Sequence, residues 1–147
     1  MYTYSFEKLE VWQRSREFVK AVYLITREFP SEEKFGVNSQ LRRSAISVSS
    51  NIAEGCTRWS NKDKARFYEI AFGSLMENLN QLIVAHDLNY ISETDLAKMR
   101  LLIDESTPKT PFYYKLLQNP ISSSSGKIFP QRSYGYACGI FSPLPRS

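Results

Sequence analysis

The stretch QLRRSAISVSSNIAEG, residues 40–55, has the spacing of a helix that contacts other helices on more than one side. Its larger apolar residues recur every three or four positions and so share one face of a helix: Leu41, Ala45, Val48 and Ile52. A second row consists mainly of short polar side chains: Arg43, Ser47, Ser50, Asn51 and Glu54. Short side chains let a neighbouring helix or another chain come close. The simpler interpretation is that they only reduce the side-chain volume where the helices of a bundle cross.

The two charged ends of this row cannot neutralise each other. Arg43 and Glu54 are about 16 Å apart along a helix axis. We therefore expect their partners to be water, a neighbouring helix or another subunit. Gly55 is placed to cap the C-terminus of the helix, and we expect it to disrupt the one local alternative, an exposed contact between Glu54 and Arg58.

Helical periodicity continues on both sides of residues 40–55 and predicts three more helices. Residues suited to N-caps and capping boxes precede the later three: Asn38, the pair Ser60 and Asp63, and the pair Ser92 and Asp95. The helix ends are marked by breakers and caps: Pro30, Gly55, Asn89 and the region of Ser106 before two prolines. Because the connections are short, the sequence predicts an all-α, antiparallel up-down-up-down four-helix bundle over residues 1–118.

The last part of the chain has a different composition. Residues 119–147 are rich in Ser, Pro and Gly and lack an amphipathic pattern, which predicts an irregular, flexible C-terminal tail. Its aromatic residues leave open a second interpretation, in which the tail docks on the bundle or on a partner. Before it, FYYKLL at residues 112–117 is expected to form one or two helical turns.

Composition and the N-terminal residues indicate the general class of protein. A chain of 147 residues with 42% hydrophobic content is typical of one globular domain. The N-terminus lacks a signal-peptide pattern and no apolar run reaches about 18 residues, so we expect a cytoplasmic protein with no membrane partner. Cys56 and Cys138 lack metal-ligand spacing and are predicted to be free thiols.

The net charge of +4 is unevenly distributed along the chain. The tail carries three basic residues and no acidic residue, and residues 42–66 carry six basic residues against Glu54 and Asp63. Such a patch attracts phosphate backbones or acidic partners, although a solvated helix face with surplus cations is the simpler alternative. The six candidates for nucleic-acid contact are Arg42, Arg43, Arg58, Lys62, Lys64 and Arg66.

The sequence contains no recognisable catalytic, cofactor-binding or metal-binding motif. Its one histidine, His86, follows the apolar spacing of the third helix, where a structural histidine is commoner than a ligand. Cys56 follows the end of a helix and lacks the N-terminal position that activates a thiol. We therefore predict a protein that is not an enzyme and uses no cofactor or metal.

Three segments of the chain, covering about residues 6–103, resemble one family. They are FEKLEVWQRS with VYLITREFP, then FGVNSQLRRSAISVSSNIAEG, then RFYEIAFGSLMENLNQL. These segments are similar to the four-helix bundle family named for proteins encoded in intervening sequences of bacterial 23S ribosomal RNA. A relative is the accessory variability protein of diversity-generating retroelements, which resembles a homopentameric barrel that engages nucleic acid and a reverse transcriptase. The resemblance implies a small cytosolic homopentamer with a basic surface and no catalysis.

The resemblance also assigns motif positions to this chain: Gln40, Arg42, Arg43, Asn51, Glu54, Gly55, Arg66, Phe67, Ser74 and Glu77.

Gly73 and Ser74, in the middle of the third helix, suggest a second point of close approach. A mid-helix glycine costs about 1 kcal/mol relative to alanine, so a packing reason for it is expected. Two features depart from the family. Prolines break the fourth helix, and Asn78 with Leu79 replaces an expected apolar and then acidic residue.

Two non-catalytic functions are consistent with these residues. In the first, the six basic residues line one surface or the rim of a pore and contact RNA or DNA phosphates, with binding that falls steeply with salt. In the second, Arg42 or Arg43 pairs with Glu54 or Glu77 across helices or subunits, and the protein is a scaffold or accessory subunit for a partner protein. We expect residues 40–55 to be mostly structural and residues 58–66 to supply the phosphate contacts.

Overall fold

A computed structural model describes residues 2–108, and every regular element within that range is helical. The four α-helices are α1 (Glu10–Ile25), α2 (Val37–Cys56), α3 (Asn61–Asp87) and α4 (Glu93–Ser106). Two short 3₁₀ turns, Ser5–Lys8 and Ser31–Phe35, precede α1 and α2. The prediction of an all-α fold with four helices is confirmed within residues 2–108. The predictions for residues 112–117, for residues 119–147 and for Cys138 lie outside the described residues.

The longest pair of helices, α2 and α3, packs with its residues in opposite order. Near the start of α2, Ser44 Oγ lies 3.0 Å from Gln81 Oε1, which is near the end of α3. Near the end of α2, Gly55 lies against Phe67, which is near the start of α3. These two helices are therefore antiparallel, as the short connection predicts. The up-down-up-down order of all four helices stays a prediction.

The core is formed by the apolar faces that the helical spacing identifies. The apolar row of residues 40–55 is confirmed, because all four of its members have no exposed surface: Leu41, Ala45, Val48 and Ile52. α1 and α3 supply the other fully buried apolar side chains: Phe18, Val22, Ala71, Leu75, Leu82 and Ala85. None of the helices between residues 2 and 108 combines the length and apolarity needed to span a bilayer.

Helices α3 and α4 begin at the predicted caps. Ser60 Oγ accepts a hydrogen bond of 3.0 Å from the backbone N–H of Asp63, and Ser92 Oγ accepts one of 3.1 Å from that of Asp95. Each bond satisfies an N–H group that has no partner inside its helix. After α3, Asn89 adopts the left-handed conformation with φ of 60°, which asparagine tolerates better than most residues. The prediction that Asn89 closes this helix is confirmed.

The predicted N-cap of α2 is wrong, because Gly36 occupies that position. Asn38 lies inside the helix, and its Nδ2 donates a hydrogen bond of 3.1 Å to the carbonyl of Thr26 at the end of α1. The free N–H group of Val37 donates instead to Glu33 Oε2 at 2.9 Å. A carboxylate from the preceding 3₁₀ turn therefore caps α2. The sequence pattern did not predict this, because it considered only the side chain of the N-cap residue.

Gly55 does not end α2, which continues to Cys56. The glycine is buried where α3 crosses, and a Cβ atom there would lie 3.0 Å from both Phe67 Cβ and Tyr68 Cε1. This distance is shorter than ordinary van der Waals contact. The role of Gly55 is therefore close helix packing, and the predicted C-cap is wrong.

Candidate nucleic-acid interface

The six predicted basic residues form two groups at opposite ends of α2. The groove group consists of Arg42 and Arg43, in the second turn of α2, and the loop group consists of Arg58, Lys62, Lys64 and Arg66. Fifteen residues separate the two groups, which corresponds to about 22 Å along a helix axis. The continuous run of charge in the sequence therefore becomes two sites in the fold.

Three cations of the loop group carry charge that no side chain balances. Lys62 and Arg66 are exposed and Lys64 is half-buried, and none of the three side chains forms a hydrogen bond or ion pair with another residue of the described range. The one carboxylate among them, Asp63, accepts a hydrogen bond of 2.6 Å from the Ser60 hydroxyl. This end of the molecule therefore presents unpaired positive charge to solvent.

The position of these cations strengthens the positive potential. They occupy the first two turns of α3, where the unsatisfied backbone N–H groups give a helix a partial positive charge. Cations at this end oppose the helix dipole, and stability alone favours acidic residues there. Three cations and a helix N-terminus together favour a bound anion such as phosphate.

Arg58 differs from the rest of the loop group because it has partners within the chain. Its guanidinium forms an ion pair with Glu54 one helical turn earlier and lies 4.6 Å from the centre of the Phe67 ring. The expectation that Gly55 disrupts the contact between Glu54 and Arg58 is wrong, since α2 stays helical through the glycine. We conclude that Arg58 links the end of α2 to α3. Trp59, the next residue, is fully exposed.

The adjacent arginines of the groove group have different surroundings. Arg42 is half-buried: its Nε donates to Thr26 Oγ1 at 2.9 Å, and its guanidinium lies 4.9 Å from the centre of the Tyr23 ring. Arg43 is exposed, and its side chain has no hydrogen-bond or ion-pair partner among residues 2–108. Arg42 therefore fastens α2 to α1, whereas Arg43 is available to a ligand.

The short polar side chains of α2 and α3 form a hydrogen-bonded chain between the helices. Asn51 Nδ2 donates to the carbonyl of Ser47 at 2.8 Å, and the hydroxyls of Ser47 and Ser74 lie 2.9 Å apart. Ser74 is buried, while Gln40 is exposed at the outer surface of α2. Asn51 and Ser74 are therefore structural residues within one chain.

The acidic motif residues do not pair with the groove group within the chain. Glu54 pairs with Arg58, and Glu77 Oε1 accepts a hydrogen bond of 3.1 Å from Gln81 Nε2 one turn later. Gly73 is exposed, and a Cβ atom added there would meet no other atom within 4 Å. The close approach expected at Gly73 is therefore not made by another part of the described chain.

One buried polar residue has a role that sequence reasoning missed. Asn78 has no exposed surface, and its Nδ2 donates to the carbonyl of Leu41 at 2.7 Å and to Ser44 Oγ at 2.8 Å. The signal was present in the sequence, because asparagine stands where the apolar spacing calls for a hydrophobic residue. Only the fold shows that α2 supplies its acceptors.

Two aromatic residues near the groove group were also missed. Tyr23 lies under the Arg42 guanidinium, and Phe35 is 85% exposed at the end of the second 3₁₀ turn. The sequence contained a signal for Phe35, because it is an aromatic residue beside Lys34 in an otherwise polar connection.

Outside the two basic groups, titratable side chains lie close to other side chains of the fold. His86 is half-buried, with Nε2 3.2 Å from a carboxylate oxygen of Glu93. Burial raises the pKa of the Tyr68 hydroxyl, and the nearby Cys56 thiol raises it further by a smaller amount. Cys56 is a free thiol. No three His, Cys, Asp or Glu side chains in the described part of the chain come together in a way that could hold a metal ion.

Comparison with known proteins identifies the family and the fold. The sequence profile of the 23S rRNA-intervening sequence proteins matches residues 7–109. A crystal structure is known of a protein of unknown function from the S23 ribosomal protein family of Bacteroides thetaiotaomicron VPI-5482. That protein is 24% identical in sequence to this chain, and the two structures superpose with a TM-score of 0.60. The match covers 77% of this chain and 99% of that one, and it shows a shared fold. No curated protein shows significant similarity. Because the profile match includes all four helices, the chain belongs to the 23S rRNA-intervening sequence protein family.

Proposed function

We propose that this chain is a non-catalytic, self-associating protein that binds the phosphate backbone of RNA or DNA. The observation that carries the proposal is the set of three cations at the start of α3, Lys62, Lys64 and Arg66, whose side chains have no partner in the described range. Cations at a helix N-terminus oppose the helix dipole, so their position there lowers stability and favours the binding of an anion. Phosphate contact of this kind is weakly sequence-specific and releases counterions.

The proposal includes a homo-oligomer, with a pentamer as the expected state from the family resemblance. One surface of α3 supports self-association: Ile70 is 43% exposed, and Gly73, three residues later, leaves open space. Residues three apart are neighbours on a helix surface, so a chain that approaches closely at Gly73 can also cover Ile70. Repeating the loop group around a ring multiplies the number of phosphate contacts and the field that attracts them. The proposal places the protein in the cytoplasm, where the Cys56 thiol stays reduced.

A protein scaffold is the second candidate, and the same exposed residues favour it. A partner protein can cover Ile70 and the space at Gly73 as well as a second copy of this chain can. In that function the loop group makes no ligand contact, and salt does not weaken the complex in the steep manner of phosphate binding. The two candidates therefore differ in their response to nucleic acid and to salt.

The test combines light scattering with size exclusion, on the full chain with and without mixed-sequence RNA and a 20-base-pair DNA duplex. The roughly 22 Å between the two basic groups corresponds to about seven base pairs of duplex, so this probe is long enough to reach both. We expect an oligomer that gains mass with nucleic acid at low salt and loses it at high salt.

A charge-reversal variant locates the contact. We expect Lys62→Glu/Lys64→Glu/Arg66→Glu to abolish the gain in mass. The matched control, Lys8→Glu/Lys20→Glu/Arg100→Glu, changes the net charge equally at exposed positions and is expected to bind nearly as the parent chain does. A stable oligomer that ignores nucleic acid at low salt would favour the scaffold, and a monomer would remove the proposed assembly.

A further inference from the structure

A groove of about 500 Å³ lies where the end of α1, the second 3₁₀ turn and the start of α2 meet. Its walls combine three apolar side chains with three cations: Tyr23, Phe35 and Ile46 with Lys34, Arg42 and Arg43. No Asp or Glu side chain lines it. The groove therefore offers both apolar surface and uncompensated positive charge.

Phe35 is exposed although the backbone around it is fixed. The N–H group of Gly36 donates to the carbonyl of Glu33 at 3.0 Å, and Glu33 Oε2 accepts the first free N–H group of α2, that of Val37. The other carboxylate oxygen of Glu33 accepts a hydrogen bond of 3.2 Å from the Tyr90 hydroxyl. Phe35 is therefore presented from a braced turn, and a ligand that covers it orders little additional chain.

The cations of the groove surround its aromatic rings. The Arg42 guanidinium is held 4.9 Å from the centre of the Tyr23 ring by its bond to Thr26, and Lys34 Nζ lies 5.5 Å from the centre of the Phe35 ring. The Arg43 side chain has no intrachain partner in the described range. Aromatic faces beside free cations are the combination that single-stranded nucleic-acid sites use, with bases stacked on rings and phosphates on the cations.

The same combination does not suit a duplex. Paired bases are stacked on each other and present only their edges, so a protein aromatic face has nothing to stack on. An unpaired nucleotide has both a free base face and a negative phosphate. We infer that this groove binds unpaired nucleotides of single-stranded RNA or DNA, with a base against Phe35 and phosphates at Arg43 and Lys34. The inference rests on the proposed function and assigns it a second site, distinct from the loop group.

The test measures fluorescence anisotropy of a labelled 12-nucleotide single-stranded RNA and a 20-base-pair duplex at 50 and 200 mM salt. Loss of one stacked base corresponds to about a 5- to 150-fold weaker affinity. We expect Phe35→Ala to weaken single-strand binding within that range and duplex binding by less than twofold. Phe35→Trp is expected to retain single-strand binding, because the larger ring still stacks. Arg43→Gln is expected to lower the slope of log affinity against log salt by about 1.

Leu101→Ala is the matched control, since Leu101 is 61% exposed on α4 and lies outside the groove. It is expected to change neither affinity. The inference is overturned, with the proposed function intact, where the parent chain binds single strands and Phe35→Ala binds them equally well. It is also overturned where Phe35→Ala weakens duplex and single strand alike. A parent chain that binds neither probe at 50 mM salt overturns both the inference and the proposed function.

Discussion

Asn78 on α3 donates a hydrogen bond of 2.7 Å to the backbone carbonyl of Leu41 on α2, and neither residue has any exposed surface. The same Nδ2 group donates to Ser44 Oγ, while Asn78 Oδ1 has no hydrogen-bond partner. A buried amide is costly unless it is bonded, so this residue favours the one helix register that supplies both acceptors. The core of the bundle is therefore specified by a polar contact as well as by apolar packing.

Substitution of Asn78 tests this contact. We expect Asn78→Asp to lower the free energy of unfolding by about 3 kcal/mol at pH 7, because a carboxylate loses both donated bonds and faces carbonyl and hydroxyl oxygens in the core. Asn78→Leu also loses the bonds but removes the unbonded oxygen, so its expected cost is smaller, about 1 kcal/mol. Urea unfolding of both variants measures the difference. An Asn78→Leu variant as stable as the parent chain would show that the amide does not specify the packing.

The two helical glycines predict opposite effects of the same substitution. Gly73→Ala is expected to stabilise the chain by about 0.5–1 kcal/mol, since the new Cβ meets no atom and helix propensity improves. Gly55→Ala gains the same propensity but forces Phe67 or Tyr68 to move, and overpacking costs about 1–3 kcal/mol. Thermal unfolding should therefore place Gly55→Ala below Gly73→Ala. The reverse order would contradict the close packing of α2 on α3.

Gly73→Ala also reports on assembly. Its Cβ is harmless within one chain, so dissociation of an oligomer by this substitution, seen by light scattering, would place Gly73 at a contact between chains. An unchanged oligomer would place the contact elsewhere.

The adjacent arginines of the groove group are expected to separate stability from binding. Arg42→Ala loses the bond to Thr26 and the contact with the Tyr23 ring, and we expect a loss of about 1–2 kcal/mol of unfolding free energy. Arg43→Ala removes an exposed side chain and is expected to change stability by less than about 0.5 kcal/mol. Denaturant unfolding checks both. Equal losses would show that Arg43 has a structural partner.

The cap of α4 predicts a pH dependence. A hydrogen bond from the Ser92 hydroxyl, with Lys98 second, holds the pKa of Asp95 below its usual range. A lowered pKa in the folded state means that the carboxylate stabilises the fold at neutral pH and that this stabilisation is lost as the pH falls below about 4. Ser92→Ala is expected to cost about 1 kcal/mol at pH 7 through loss of the cap, and its deficit against the parent chain should shrink at about pH 3.

Unfolding by urea at the two pH values measures that deficit. Thr94→Ala serves as the control, since Thr94 is exposed in the first turn of α4 and is expected to show the same small difference from the parent chain at both pH values. A deficit for Ser92→Ala that does not change with pH would mean that the Ser92 hydroxyl does not influence the titration of Asp95.

Local patterns in the sequence were sufficient for the helices and for the caps of α3 and α4. The apolar row from Leu41 to Ile52 is buried as its spacing predicts, and Ser60 and Ser92 cap the helices that they precede. These features depend on residues within one or two turns of each other, so the local chain specifies them. Gly55 and Asn38 were misassigned because their neighbours belong to other helices, α3 and α1.

By itself, the sequence determined the helical class, the core faces, the family resemblance and the presence of six clustered cations. Only the tertiary structure decided that these cations form two groups and that Arg42 and Arg58 are held by Tyr23, Thr26, Glu54 and Phe67. It also decided that four of the cationic side chains have no partner within residues 2–108: Arg43, Lys62, Lys64 and Arg66. The physical reason is that helical periodicity is a property of neighbouring residues, whereas the pairing of a charge depends on which side chains distant in sequence reach it in the fold.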